Sequence, residues 1–118
     1  MQPTVIFDFD GVIHSYISGW HGANIVADPP VEGIKESIQD IRSAGYRVVV
    51  VSSRCYQDGG IQAIKDYLKI HGIEVDDITH EKPPAIVSID DRAITFDGRS
   101  ETLLEKIRAF RTWNGKDV

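Results

Sequence analysis

The sequence predicts an α/β domain in three layers, with a mostly parallel sheet covered by helices on both faces. Three observations predict it. Short apolar runs alternate with segments of helical period. One run, "YRVVVVSSR", holds four consecutive valines between polar residues, the pattern of a strand buried on both faces. The apolar runs also end in polar residues at their carboxyl-terminal side, where an open parallel sheet binds its ligands.

The first run is "VIFDFDGVIH", in which Val5, Ile6, Phe7 and Phe9 read as a buried strand and Asp8 and Asp10 stand beside them, directly before Gly11. The segment from Gly11 to Asp28 is too long for a tight strand-to-helix turn, and "HSYISGWHG" within it suggests a flap hairpin over the sheet edge. Val31, Ile34, Ile38 and Ile41 then recur at helical spacing in "PPVEGIKESIQDIRSAG", with Pro29 and Pro30 as the start signal and Gly45 as the stop. After the valine strand comes a helix in "GIQAIKDYLKIHG", with Ile61, Ile64 and Leu68 on one face and Gly72 as its cap. "AIVSIDD" reads as another buried strand running into acids and "AITFD" as a short strand. "SETLLEKIRAFRTW" reads as a final helix on Leu103, Leu104, Ile107 and Phe110. Right-handed crossovers between such elements bring Asp8 and Asp10, Ser52 to Arg54, and Asp90 and Asp91 to one crevice.

The 118 residues suit a single domain, residues 1–118, with the flap at about 11–28 and no internal repeat, low-complexity tract or long linker. The composition, 42% hydrophobic and 26% charged, is that of a globular protein, and Val48 to Val51, the longest apolar run, is far short of a membrane span. The amino terminus carries no secretory pattern and the lone Cys55 forms no intrachain disulfide, so the expected location is cytoplasmic. A net charge of −5 argues against an extensive nucleic-acid surface, while a local cluster of Arg54, Lys82 and Arg92 still suits one phosphate.

Four converging carboxylates repel one another, and a hard divalent cation with oxygen ligands resolves this at least cost, Mg²⁺ being the usual choice. Taken singly, such acids also serve as helix caps or solvated loop residues. In a strand, residues two apart point the same way and lie about 6.5 Å apart, so Asp8 and Asp10 suit a small group held between them, one attacking and the other handling a proton. Cys55 does not fit a cysteine phosphatase, because Ile61 stands where the arginine six residues on is needed. His14, His21, His71 and His80 match no compact ligand spacing, so no zinc is expected. Tyr16 and Trp20 offer flat faces for a base or other flat leaving group, and packing of the flap explains them equally well.

The order "DFDGV", apolar strand plus "SSR", "EKPP", and apolar strand plus "DDR" resembles the haloacid dehalogenase superfamily of aspartate-dependent phosphohydrolases, over roughly Thr4 to Asp97. The resemblance implies a Rossmann-like domain and gives each residue a role. Asp8 would be the nucleophile that becomes an aspartyl phosphate. Asp10 would be the acid that protonates the leaving alkoxide and then the base that activates water. Ser52 would donate a hydrogen bond to a phosphoryl oxygen, and Lys82 would offset negative charge. Mg²⁺ would be held by Asp8, the carbonyl of Asp10 and Asp90, with Asp91 acting directly or through water.

Ser53, Arg54 and Gly11 complete the expected substrate-binding set. Ser53 replaces Ser52 if the strand ends one residue later, and Arg54 reads equally as a surface ion-pair partner. Arg92 reads as a partner of Asp90 or Asp91, or of substrate. The short gaps between motifs leave no room for a large cap, so the crevice is expected to be open. The "SSR" and "DDR" elements also resemble the phosphatase half of bacteriophage-type polynucleotide kinases. That implies a nucleotide or a nucleic-acid-end phosphate as substrate, with a small phosphorylated metabolite as the other class. Two rivals remain: a phospho-accepting receiver domain, which would place its acceptor aspartate after the third strand, and a binding module without turnover.

Overall fold

Val48, Val49 and Val50 are wholly buried and form the middle of β2 (Arg47–Val51), one of two inner strands. A computed structural model describes residues 2–115. The other strands are β1 (Thr4–Asp8), β3 (Asp77–Thr79) and β4 (Val87–Ile89), and all pair in parallel in the order β3-β2-β1-β4. The register sets Asp8 beside Val51 and Phe7 beside Ile89. The chain therefore runs outward from β1 to β3 and returns to the other side of β1 for β4. Such a reversal opens a crevice at the carboxyl ends of the strands.

Helices α1 (Ile34–Ser43) and α2 (Gly60–Ile70) pack on one sheet face, where Ile38, Ile64, Tyr67 and Leu68 meet Val5, Phe7, Val48 and Val50 in a single core. Burying such a side chain stabilises the fold by about 1.5–3 kcal/mol. The sequence pattern located α2 closely, with Gly72 at φ 67 just past its end. It began α1 too early. Ser15 donates to the Pro29 carbonyl and Val31 to the Ile13 carbonyl, which ties residues 29–31 to the first loop, and the helix starts only after Gly33 resets the chain at φ 81.

The expected flap hairpin is an irregular loop with two isolated bridges, Asp10 with His14 and His14 with Pro30. Its first part, Gly11 to Ser15, is buried. Strand β3 lies where the pattern assigned no residues. The "AITFD" segment forms no strand. β4 is shorter than expected and not buried as read, with Val87 48% and Ile89 39% exposed at the edge of the sheet.

The last helix is α3 (Leu103–Ala109), preceded by a 3₁₀ turn at Ser100–Thr102, and Leu104 and Ile107 are exposed. It ends at Phe110, and the chain beyond it is drawn to the first loop. There the Trp113 indole donates to the Gly11 carbonyl at 2.6 Å and the Asn114 amide to the Ser15 carbonyl at 3.1 Å. Among the described residues no helix is long and apolar enough to cross a membrane.

Candidate active site

The ends of β1, β2 and β4 meet at a crevice of about 390 Å³ lined by Asp8, Asp10, Tyr16, Trp20, Ser52, Ser53, Asp90 and Arg92, with Val51 at its floor. A smaller hollow beside it, lined by Asp8, Asp90 and Ser88 among others, takes in Lys82. Among the expected residues, Asp8, Asp10, Ser52, Ser53 and Asp90 thus share one crevice, and Lys82 adjoins it.

Asp8, Asp90 and Asp91 each offer a carboxylate oxygen, and these oxygens lie within 4.8 Å of one another. Burial, a hydrogen bond with Asp91 and the charges of Asp90 and Asp91 push the Asp8 carboxyl up to about 8, against the opposing effect of the Phe9 N–H. Three acids in this space hold a proton unless a cation replaces it. Asp91 Oδ1 is moreover buried without a hydrogen-bond partner, which is costly for a carboxylate. An all-oxygen donor set with one orphaned buried oxygen fits a hard divalent cation. Gly11, at φ 87, makes room for this group: a Cβ there would collide with the Asp91 carboxylate. Its placement is therefore against Asp91.

The Asp10 carboxylate stands apart from those three. It accepts from Arg54 Nε at 2.8 Å and Nη2 at 3.0 Å, and from His14 Nδ1 at 2.7 Å. Burial opposes ionisation here, but the bonds from His14 and Arg54 outweigh it and hold the group below the usual carboxylate range. His14 is buried, and its Nε2 accepts the Asp28 backbone N–H at 3.1 Å. That bond leaves the ring proton on Nδ1, aimed at Asp10.

Arg54 is fully buried. Its Nη1 donates to the carbonyls of Gly22, Ala23 and Ile25 at 2.9–3.0 Å. Its plane lies under Trp20, with Cζ 4.7 Å from the ring centroid. The expectation of Arg54 at the substrate, or on the surface as an ion-pair partner, gives way to an internal staple. A buried guanidinium must satisfy its donors, and the strandless loop supplies carbonyls that no ladder occupies. Gly60 permits this packing, since a Cβ there would strike the Arg54 carbonyl.

No protein-family model matches the chain, and comparison with curated proteins finds no match. Solved structures do match. A chain of the Pnkp1/Rnl/Hen1 RNA repair complex aligns with a TM-score of 0.55 and 19% identity over 90% of this chain and 30% of its own length. A second structure of the Pnkp1/Rnl/Hen1 complex gives 0.56 and 20%, over 90% and 35%. A conserved protein coded by a locus from Bacteroides thetaiotaomicron gives 0.60 and 20% over 98% and 97%. The chain thus spans about a third of the repair-complex chains and nearly all of the Bacteroides protein, and the likeness is one of fold.

The histidine spacing offers His14 only as a zinc candidate, and its pairing with Asp10 is a feature of the fold. The signal was its place four residues after Asp10, inside a buried run. Nothing in the pattern pointed to Trp113 and Asn114, whose partners are 102 and 99 residues away. Ser52 is buried, its Oγ accepting the Arg54 N–H at 3.2 Å, while Ser53 is exposed in the crevice. Cys55 is half-buried, and burial pushes its thiol up, away from nucleophilic use.

Proposed function

We propose that the chain hydrolyses phosphate monoesters with Mg²⁺ through an aspartyl phosphate on Asp8, as a haloacid dehalogenase-type phosphohydrolase. The observation that carries this reading is the difference in surroundings between two neighbouring carboxylates. Asp8 sits within a group of acids that fits a cation, and Asp10 lies outside that group and is held by His14 and Arg54. The fold likeness to chains of an RNA repair complex supports phosphoryl chemistry.

Asp8, Asp90 and Asp91 would hold the cation, with the Asp10 carbonyl added by the family resemblance. When bound, it offsets the charge that keeps one anion from approaching another. In the first step an Asp8 oxygen bonds to phosphorus as the bond to the leaving oxygen breaks, and that oxygen takes a proton from Asp10. In the second, water bonds to phosphorus, its proton passes to Asp10, and Asp8 is released with inorganic phosphate. Three donors on Asp10 favour its anion, the form suited to the second step. The protonated form needed by an alkoxide leaving group is the scarcer one. Ser52, which lines the crevice, and Lys82, in the hollow beside it, would donate to phosphoryl oxygens.

Phosphate release from para-nitrophenyl phosphate, nucleoside monophosphates, sugar phosphates and end-phosphorylated oligonucleotides tests the reading, each with Mg²⁺ or EDTA. Turnover is expected with Mg²⁺ only and is expected to vanish in Asp8→Asn. Activity that survives both treatments would overturn it, and so would silence across the panel.

A further inference from the structure

We propose that Tyr16 and Trp20 form a stacking subsite for the leaving group, making the substrate the phosphate monoester of a nucleoside, either free or at the end of a nucleic-acid chain. The inference rests on the hydrolase reading and names what that site recognises. Both aromatic side chains line the crevice with Asp8 and Asp10. Trp20 lines the crevice while 48% exposed, so part of its ring is open to a ligand there. It is not loose, because its ring lies 4.7 Å from the Cζ of the wholly buried Arg54. A ring held against a fixed cation is ordered before any ligand arrives, so stacking on it sacrifices little side-chain freedom.

Tyr16 adds a second, independent sign. Among the described residues it is the one non-glycine with positive φ, at 61°. A bulky side chain rarely adopts this conformation, and such strain gathers at ligand sites. The turn is closed by the Gly19 N–H on the Tyr16 carbonyl at 3.1 Å, and the ring stands edge-on to His14 at 5.8 Å between centroids. Tyr16 thus packs on the histidine that holds Asp10, and Trp20 on the arginine that holds Asp10. Both aromatic residues lean on the two clamps of the proton-handling carboxylate.

A base seated there brings its nucleoside oxygen toward Asp10. A glycerol or simple sugar ester has no flat face to use the subsite. Every base has one, so the subsite accepts nucleosides without reading sequence.

Calorimetric titration of the Asp8→Asn protein in Mg²⁺ tests this without turnover. The probes are adenosine 3′- and 5′-monophosphate, 3′- and 5′-phosphorylated dinucleotides, and glycerol phosphate. The adenosine esters are expected to bind roughly tenfold or more tighter than glycerol phosphate. Trp20→Ala is expected to erase the difference and Trp20→Phe to keep most of it. Trp20 emission, isolated as the difference between wild type and Trp20→Phe because Trp113 also fluoresces, is expected to be quenched by adenosine monophosphate and not by glycerol phosphate. This readout does not depend on the alanine variant folding.

Tighter binding of a dinucleotide than of its mononucleotide assigns the subsite to nucleic-acid ends, and equal binding assigns it to free nucleotides. Equal affinity for adenosine and glycerol esters, no binding of either, or absent quenching overturns the proposal. Failure of the hydrolase reading is seen separately, as absent phosphate release from every ester.

Discussion

Arg54 is a residue on which several segments of the chain converge. Its guanidinium holds Asp10 through two nitrogens, three loop carbonyls through the third, and the face of Trp20. Removing it strands a partly buried carboxylate and three carbonyls, so Arg54→Met is expected to lower stability by about 3 kcal/mol or more, read from the urea unfolding midpoint. Lysine does not restore the bidentate pair, so Arg54→Lys is expected to recover little of that loss. At Asp10 the effect should depend on the leaving group. Asp10→Asn is expected to slow alkyl phosphates by roughly 10²–10⁴-fold and para-nitrophenyl phosphate far less in the acid-dependent step, since its leaving oxygen departs unprotonated. Single-turnover kinetics on the two esters reads the difference, and equal losses would remove Asp10 from the acid role.

Among the elements, α2 and α3 carry similar amphipathic patterns and meet different fates. Ile64 in α2 is wholly buried in the core, whereas Ile107 in α3 is 60% exposed. Ile64→Ala is therefore expected to cost about 2–5 kcal/mol, and Ile107→Ala to stay within about 0.5 kcal/mol, in paired denaturation curves. A large effect at Ile107 would mean that α3 is covered in solution. The loop after β1 shows the complementary case, an element without regular hydrogen bonding whose first part, Gly11 to Ser15, is nevertheless buried. It is held by side chains instead: Arg54, His14, and the Tyr67 hydroxyl on the Asp28 carbonyl at 2.9 Å.

Over the whole molecule, one ion-pair cluster joins the layers away from the crevice. Asp76, ahead of β3, accepts from Arg42 of α1 at 3.0 and 3.3 Å and from the Val48 N–H of β2 at 2.8 Å. Arg42 foremost, with the Val48 N–H, holds this carboxyl below its ordinary value, against some burial. A group whose folded-state value is depressed adds stability above its unfolded value, about pH 4, and loses it as pH falls through the folded one. The stability of the wild type is accordingly expected to fall more steeply below about pH 4 than that of Asp76→Asn. The variant should already be weaker at neutral pH by about 1 kcal/mol, a modest figure because the pair is partly exposed. Parallel slopes in urea titrations across that range would contradict this.

By itself the sequence determined the parallel α/β class, the two helices of the core, and the positions of Asp8, Asp10, Ser52 and Asp90 at strand ends. Burial periodicity and the break from apolar to polar residues are local properties, readable along the chain. Only the tertiary structure decided how the surroundings of those residues differ. Asp8 and Asp10 are chemically alike and two positions apart, and what separates them is the neighbours that other segments deliver: Asp90 and Asp91 from β4 on one side, His14 and Arg54 on the other. The burial of Arg54 followed from the course of residues 22–25, and the exposure of β4 from its place at the edge of the sheet. Both depend on contacts distant in sequence, which no local pattern of residues records.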